Sequence, residues 1–367
     1  MSVQRIIVKL GTSVLTNDTN KLSRQRMLEI VQQVAHLYSL GHEMVIVSSG
    51  AQAAGRERLG YPELGKSVPA RQMLSAVGQS RLMQIYGQLF DIFNIVVGQV
   101  LLTRGDLGDR HRYLNARDTM LTLIEQRIVP IVNENDATAT DEIRVGDNDN
   151  LSALVANLLD ADMLVILTDQ PGLYTADPRK DVNARFIPVV EHIDENTMAL
   201  AGGVGTSLGT GGMATKIEAA QLASRSGVTT VIGAGREPNV LTRIVEGEEI
   251  GTRFDRTVDR IESRKRWLLA EKPHGTLRVD AGAVRKLKTG GVSLLPVGVT
   301  RVEGNFQRGE HLAVETPDGK KFAHGLSNYN SDDIRRLCGV KSHRIAQILG
   351  YTYGDSVIHR NNLVLLK

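Results

Sequence analysis

The sequence predicts an α/β protein, a mainly parallel sheet sandwiched by helices, followed by a small β-rich C-terminal domain. Three observations lead there. Short apolar segments alternate with stretches of helical periodicity through the first two thirds of the chain. Most polar clusters fall directly after those apolar segments. The texture then changes across Arg256 to Pro273 into short strand-like pieces separated by turn signals.

In order along the chain, Arg5-Ile-Ile-Val-Lys-Leu-Gly11 reads as a buried strand ending in a glycine turn. Met27, Ile30, Val31, Val34 and Tyr38 recur at helical spacing, with Gly41 as a stop. Met44–Val47 is the next strand and leads into Ser48-Ser49-Gly50-Ala51. Helical patterns cover 51–59 and 70–93, and a strand spans Ile95–Leu102. A polar helix then carries Arg110, Arg112 and Arg117, read as a solvated face or a subunit contact rather than as anion ligands. Ile128–Val132 ends in Asn133-Glu-Asn-Asp136, and Met163–Leu167 ends in Thr168-Asp169. Val228–Ile232 closes on Gly233-Ala-Gly235.

Beyond the charged run Arg260–Arg266 and a linker at Lys272-Pro-His-Gly275, the strand-like segments are Thr276–Val279, Gly298–Val302, His311–Val314 and Lys321–Gly325. One or two helices are expected among them. The expected domains are therefore 1–258, a linker at 259–273, and 274–367.

Composition bounds the function. The 367 residues are 41% hydrophobic and 23% charged, those of an ordinary globular chain. A single cysteine, Cys338, excludes an internal disulfide and any cysteine-rich zinc site, which fits a reducing compartment. No apolar run approaches the roughly 18 residues of a membrane span, and the N-terminus leads straight into a strand, so a cytoplasmic location and no membrane partner are expected. The net charge of +3 is unevenly placed. Residues 274–367 carry 14 Lys+Arg against 8 Asp+Glu, while the remainder carries 30 against 33. A nucleic-acid surface would therefore lie in the C-terminal domain.

In parallel α/β sheets ligands bind at the carboxyl ends of the strands. Lys9–Gly11, Ser48–Gly50, Asn133–Asp136 and Thr168–Asp169 all fall at such ends. Lys9 sits inside an apolar strand, where an ammonium is costly unless it lies on an edge strand or meets an anion. The run Gly205-Thr-Ser-Leu-Gly-Thr-Gly-Gly-Met-Ala-Thr-Lys216 opens onto a helix. Such glycines let backbone N–H groups approach phosphate oxygens, and a flexible loop is the plain alternative. It is neither a P-loop nor a dinucleotide fingerprint. Val145-Gly-Asp-Asn-Asp-Asn-Leu-Ser152 crowds Asp147, Asn148, Asp149 and Asn150 before an apolar helical pattern, and a capped helix start accounts for it on its own. Phosphoryl transfer to a carboxylate needs no protein nucleophile. It needs two anions positioned and the spreading charge neutralised. Lys9, Lys216 and an aspartate between them, Asp149, supply that set. Asp136 can pair with a substrate ammonium, Ser49 can bond a carboxylate, and Asn148 can serve either group.

Taken together, Val8-Lys-Leu-Gly-Thr-Ser13, Val47-Ser-Ser-Gly-Ala51, Leu114-Asn-Ala-Arg-Asp118, Asn133-Glu-Asn-Asp136, the Val145–Ser152 run, Leu173-Tyr-Thr-Ala-Asp-Pro178 and Leu208–Lys216 resemble the amino-acid kinase family, in its glutamate-phosphorylating branch. The C-terminal domain resembles the PUA domain appended to many of these enzymes. The resemblance implies ATP-dependent phosphorylation of the γ-carboxylate of L-glutamate to L-glutamyl 5-phosphate, the first step of proline biosynthesis, with Mg²⁺ on the ATP phosphates and no protein ligand named for it. It implies Lys9, Lys216 and Asp149 as catalytic residues, with Asp149 orienting the lysines. Ser49, Asp136 and Asn148 would bind the amino acid. ATP would lie against Lys9, Thr168, Asp169 and the segment Thr210, Gly211, Gly212, Met213, Ala214, Thr215 and Lys216. Asp147 and Asn150 keep the roles of turn and cap. Proline as a feedback inhibitor and a homo-oligomer, dimer or tetramer, are likewise implied. The alternatives are a kinase for another acid, such as acetylglutamate or aspartate, and an RNA-binding protein acting through the PUA-like domain.

Overall fold

The computed structural model describes residues 2–64, 67–138, 148–178, 180–200, 212–257 and 272–366. The chain divides into two compact units, Met1–Arg260 and Ile261–Lys367. The expected linker at 259–273 lies almost wholly outside the described residues.

Among the described residues the first unit has ten strands. These are β1 Arg5–Leu10, β2 Glu43–Ser48, β3 Val97–Leu102, β4 Val129–Glu134, β5 Met163–Thr168, β6 Leu173–Tyr174, β7 Phe186–Ile187, β8 Val189–Val190, β9 Thr229–Ala234 and β10 Thr252–Phe254. Eight of them form one sheet in the order β3-β4-β2-β1-β5-β9-β10-β8, and β6 and β7 make a separate hairpin. Every pairing in the large sheet is parallel except that of β10 with β9. The expected parallel sheet is therefore present, with an antiparallel step near one edge.

Alternation along β1 shows how the two faces are filled. Ile6, Val8 and Leu10 join one apolar core, with Met27, Ile30, Val34, Leu82 and Phe90 of the helices covering that face. Ile7 joins the other core, with Val45, Val47, Leu164 and Ile166 and with the helices Asn148–Leu158 and Met213–Ser224. Lys9 shares the parity of Ile7, so its side chain belongs to this second face, at the carboxyl end of the strand.

The helices confirm most of the expected pattern: Arg24–Ser39, Ala51–Arg58, Val68–Asp91 and Arg110–Glu125. Two close approaches fix the pair Ala51–Arg58 and Val68–Asp91. A Cβ on Gly78 would lie 1.7 Å from the Ala51 carbonyl oxygen, and one on Gly55 would lie 2.0 Å from that of Leu74. Only glycine lets these backbones meet.

Arg117 departs from the expected solvated face. It is 4% exposed, and its guanidinium donates to Leu158 O at 2.9 Å and to Asp160 at 2.8 Å. Its helix turns inward at that position, between buried Leu114 and Met120. Arg112 is exposed as expected and pairs with Asp106.

In the second unit, β11 Gly275–Val279, β12 Val299–Gly304, β13 His311–Glu315, β14 Lys321–Leu326 and β15 Leu363–Leu365 form a sheet in the order β12-β11-β13-β14-β15. Only β11 and β13 pair in parallel. Its core includes Leu277, Val279, Phe306, Leu312, Tyr329 and Ile334. Among the described residues three α-helices accompany it, Ala281–Lys288, Ser331–Leu337 and Ile345–Leu349, where one or two were expected. At eight, seven and five residues they are too short for a clear helical period. No described helix is long and apolar enough to cross a membrane.

Candidate active site

β1 is a central strand, flanked by β2 and β5, so an edge position cannot explain Lys9. Its ammonium instead meets a carboxylate: Lys9 Nζ lies 2.6 Å from Asp149 Oδ1. Lys216 Nζ lies 3.1 Å from the other oxygen, Oδ2. Thr215 Oγ1 is 2.7 Å from the same Oδ2 and 2.8 Å from Gly212 O, so its proton serves one of them at a time. Lys9, Lys216 and Asp149 are only 5%, 4% and 1% exposed.

Burial alone would raise the pKa of Asp149, yet the two ammonium groups and the Lys9 and Thr215 hydrogen bonds outweigh it and hold the carboxyl down at about 2. The three charges sum to +1. They stand where Met213–Ser224 begins, with Gly212 as its N-cap, and a helix N-terminus favours anions. A buried cluster of net positive charge at a helix N-terminus can hold anionic oxygens.

Asn148 precedes Asp149 on the same helix and faces a different set of groups. Its Nδ2 donates toward Ser48 O at 3.2 Å, Ser49 Oγ at 3.0 Å and Asn133 Oδ1 at 3.0 Å. A backbone carbonyl can only accept, so the contact to Ser48 O fixes which end of the amide is nitrogen. Asn148 Oδ1 is then the end left over, buried and without a hydrogen-bond partner among the described residues. Asn148 can therefore receive a donor such as an ammonium, but it has no spare N–H for a carboxylate. Asn150 lies inside the helix Asn148–Leu158 rather than at its cap, and Asp147 lies outside the described residues.

Asp136 follows β4 and is half-buried. Ser75, on the helix Val68–Asp91, donates to its Oδ2 at 2.8 Å. Its Oδ1 is buried with no partner among the described residues. Burial raises the Asp136 pKa, and the Ser75 hydrogen bond offsets this only in part. Asp136 lines a cavity of ≈ 220 Å³ together with Ala51, Ser75, Gln79 and Glu134.

Ser49 sits just past β2 and is tied to β1 through its N–H to Leu10 O at 3.0 Å. Its neighbour Ser48 shares a 2.8 Å hydrogen bond with Tyr86 on the long helix. Thr168 and Asp169 close β5, with Thr168 Oγ1 donating to Asp169 Oδ1 at 2.9 Å. Arg236 reaches the Asp169 carbonyl at 3.5 Å. Thr210 and Gly211 lie outside the described residues, while Gly212, Met213 and Ala214 lead into the Lys216 helix.

The structure thus joins Lys9, Asp149, Lys216 and Thr215 in one cluster, and Ser49 with Asn148 in a second. Asp136 and Thr168–Asp169 stand at the ends of β4 and β5, and among the described residues neither is joined to a cluster by a side-chain hydrogen bond. Sequence reasoning missed Ser75 and Gln79, which hold Asp136 and Asn133. The available signal was a polar pair four residues apart on a helix face otherwise buried through Leu74, Leu82 and Tyr86.

Residues 4–233 match the amino acid kinase family, and residues 275–349 match the PUA domain. The chain belongs to the amino acid kinase family. It is 55% identical over 361 residues to glutamate 5-kinase of Herpetosiphon aurantiacus, covering 98% of each chain. It is 52% identical to glutamate 5-kinase of Serratia marcescens over 362 residues, 99% of each chain. A solved structure, UMP kinase from Bacillus anthracis, superposes at a TM-score of 0.49 with 17% identity, over 70% of this chain and 98% of that one.

Proposed function

We infer that this protein catalyses ATP-dependent phosphorylation of the γ-carboxylate of L-glutamate, giving L-glutamyl 5-phosphate and ADP. The observation that carries the reading is the adjacency of two clusters, a Lys9–Asp149–Lys216 set suited to phosphates and a Ser49–Asn148 pair beside it in the chain. The full-length likeness to glutamate 5-kinases supports it.

In the reaction an oxygen of the substrate carboxylate attacks the γ-phosphorus, an O–P bond forms, and the bond to the bridging oxygen of ADP breaks. No proton need move. The protein's work is to place two anions in line and to stabilise charge spreading over the phosphoryl oxygens. Lys9 and Lys216 supply that charge, and Asp149 aims them. Thr168, Asp169 and the segment from Thr210 to Lys216 bind the nucleotide, while Ser49, Asp136 and Asn148 bind the amino acid.

A Mg²⁺ ion bound with ATP would withdraw charge from its phosphates. Among the described residues no group of three His, Cys, Asp or Glu side chains could hold a metal, and Asp149 has both oxygens committed to lysines. Cytoplasmic placement, a dimer or tetramer, and feedback inhibition by proline come with the same reading.

The test is turnover of ATP that depends on glutamate, with γ-glutamyl hydroxamate formed when hydroxylamine traps the product. Activity with acetylglutamate or aspartate in place of glutamate overturns the substrate assignment.

A second reading concerns the C-terminal unit alone. Beyond its positive balance, a cavity of ≈ 570 Å³ there is lined by Lys286, His359 and Arg360 beside Leu287, Leu294 and Leu295. We infer that this face binds RNA. A mobility shift with tRNA-sized RNA that weakens with salt tests it, and no shift at low salt overturns it.

A further inference from the structure

The side-chain amides between the long helix and the sheet can be oriented without ambiguity, because backbone groups anchor both ends of the chain they form. The Glu134 N–H donates to Asn133 Oδ1 at 2.8 Å. A backbone N–H cannot accept, so that atom of Asn133 must be its oxygen. Asn148 Nδ2 donates to the same oxygen. Asn133 Nδ2 is therefore the donor toward Gln79, at 2.8 Å from Oε1. It follows that the free end of Gln79 is its nitrogen. Gln79 Nε2 is buried with no hydrogen-bond partner among the described residues, and Gln79 is 9% exposed and lines the ≈ 220 Å³ cavity.

The same cavity is lined by Asp136, whose Oδ1 is a buried acceptor lacking a partner. Leaving a buried donor and a buried acceptor unsatisfied is costly, and the pair marks a ligand that carries both complements. Such a ligand has a cationic donor for Asp136 and an acceptor for Gln79. An α-amino acid head group, with its ammonium and carboxylate on one carbon, has both. The cavity is small beside the roughly 300–1,000 Å³ of drug-sized sites.

We propose that Gln79 is a specificity-determining residue whose Nε2 donates to the α-carboxylate of the amino-acid substrate, while Asp136 receives the ammonium. This rests on the amino-acid phosphorylation reading above. It separates two roles for Gln79. Its Oε1 holds Asn133, and through it Asn148. Its Nε2 selects a substrate that keeps the α-carboxylate.

Gln79→Glu tests the second role, because it keeps an acceptor for Asn133 Nδ2 while replacing the free N–H donor with a carboxylate oxygen that repels an α-carboxylate. Gln79→Leu removes both. Binding of glutamate is compared by calorimetry with binding of 4-aminobutanoate, which retains the ammonium and the reacting carboxylate but lacks the α-carboxylate. Gln79→Glu is expected to weaken glutamate binding about 10- to 100-fold, the worth of one hydrogen bond to a charged group, and 4-aminobutanoate binding less than about 2-fold. ATP binding should stay unchanged in both variants. Equal weakening for the two ligands, or none for glutamate, overturns the proposal and leaves Gln79 as a support for Asn133. If the unaltered protein binds glutamate yet fails to phosphorylate it, the functional reading falls while the same titrations still decide Gln79. Absence of glutamate binding by the unaltered protein overturns both.

Discussion

Asn148 and Asp149 are neighbours in the chain, yet their side chains serve opposite partners. Asn148 Nδ2 is held by Ser48 O, Ser49 Oγ and Asn133 Oδ1, whereas the Asp149 carboxylate lies between Lys9 and Lys216. Consecutive residues on a helix point about 100° apart, so one turn addresses two groups of residues at once. The Ser49–Asn148 cluster, proposed to face the amino acid, and the Lys9–Asp149–Lys216 cluster, proposed to face phosphate, are thereby coupled through a single peptide unit.

That coupling separates the effects of the two lysine partners. In Lys216→Met the Lys9–Asp149 pair remains, one charge of each sign, and methionine fills the space of the lysine stem. The fold should survive, with a melting temperature close to that of the unaltered protein. The rate should fall about 10²- to 10³-fold, the usual cost of removing one preorganised electrostatic contact to a transition state. Near-normal turnover would remove Lys216 from the mechanism.

Asp149→Asn should behave differently, because it leaves two buried ammonium groups facing a neutral amide. Breaking such a cluster costs about 3–5 kcal/mol, so this variant should melt well below the unaltered protein as well as lose activity. The acid limb gives a second measure. Asp149 titrates at about 2, below the ordinary 3.8. A depressed carboxyl contributes stability that is fully present above the unfolded value and is lost as pH falls through the folded one. The stability gap between the two proteins should therefore narrow between about pH 4 and pH 2, which chemical denaturation across that window would reveal. A constant gap would rule out the pairing.

Much of this arrangement was legible in the sequence, for definite reasons. β1, β2, β4 and β5 are apolar runs ended by polar clusters, and in a parallel sheet those clusters must gather at one edge. Lys9 stood out because an ammonium in an apolar strand needs an anion, and the structure provides Asp149. What escaped notice lacked a local signal. β8 and β10 have two and three residues. Arg117 looked like its exposed neighbour Arg112, since only the packing of its helix decides which arginine turns inward. Ser75 and Gln79 lie within the expected helical pattern over 70–93 but were not singled out, because only the close approach of that helix at Gly55 and Gly78 brings them against Asp136 and Asn133.

Asp136 illustrates function held at some expense of stability. Burial raises its carboxyl pKa more than the Ser75 hydrogen bond lowers it. A carboxyl with a raised folded pKa weakens the native state once pH climbs past that value. At neutral pH, Asp136→Asn should therefore raise the melting temperature, since the amide oxygen can still accept from Ser75. The same change removes the counter-charge for the substrate ammonium, so the KM for glutamate should rise by about 10-fold or more. In the unaltered protein, KM for glutamate should climb on acidification at a pH above the 3.8 of an ordinary aspartate. A variant that is both less stable and normal in KM would contradict the assignment.

The long helix offers a matched pair of glycines for testing whether its position matters. At Gly78 a Cβ would lie 1.7 Å from the Ala51 carbonyl and 2.4 Å from the Gly55 nitrogen, both backbone atoms that cannot swing aside. Gly78→Ala must push the helix away from Ala51–Arg58, taking Ser75 from Asp136 and Gln79 from Asn133. Overpacking of this kind costs about 1–3 kcal/mol or more. Its kinetic mark should be a rise in KM for glutamate that exceeds any rise in KM for ATP, because Lys9, Asp149 and Lys216 sit on other elements. At Gly87 of the same helix nothing lies within 4 Å of an added Cβ. Gly87→Ala should therefore stabilise the protein by about 0.5–1 kcal/mol through helix propensity, with both KM values unchanged. Equal effects of the two substitutions on glutamate KM would show that the close helix approach does not position the amino-acid site.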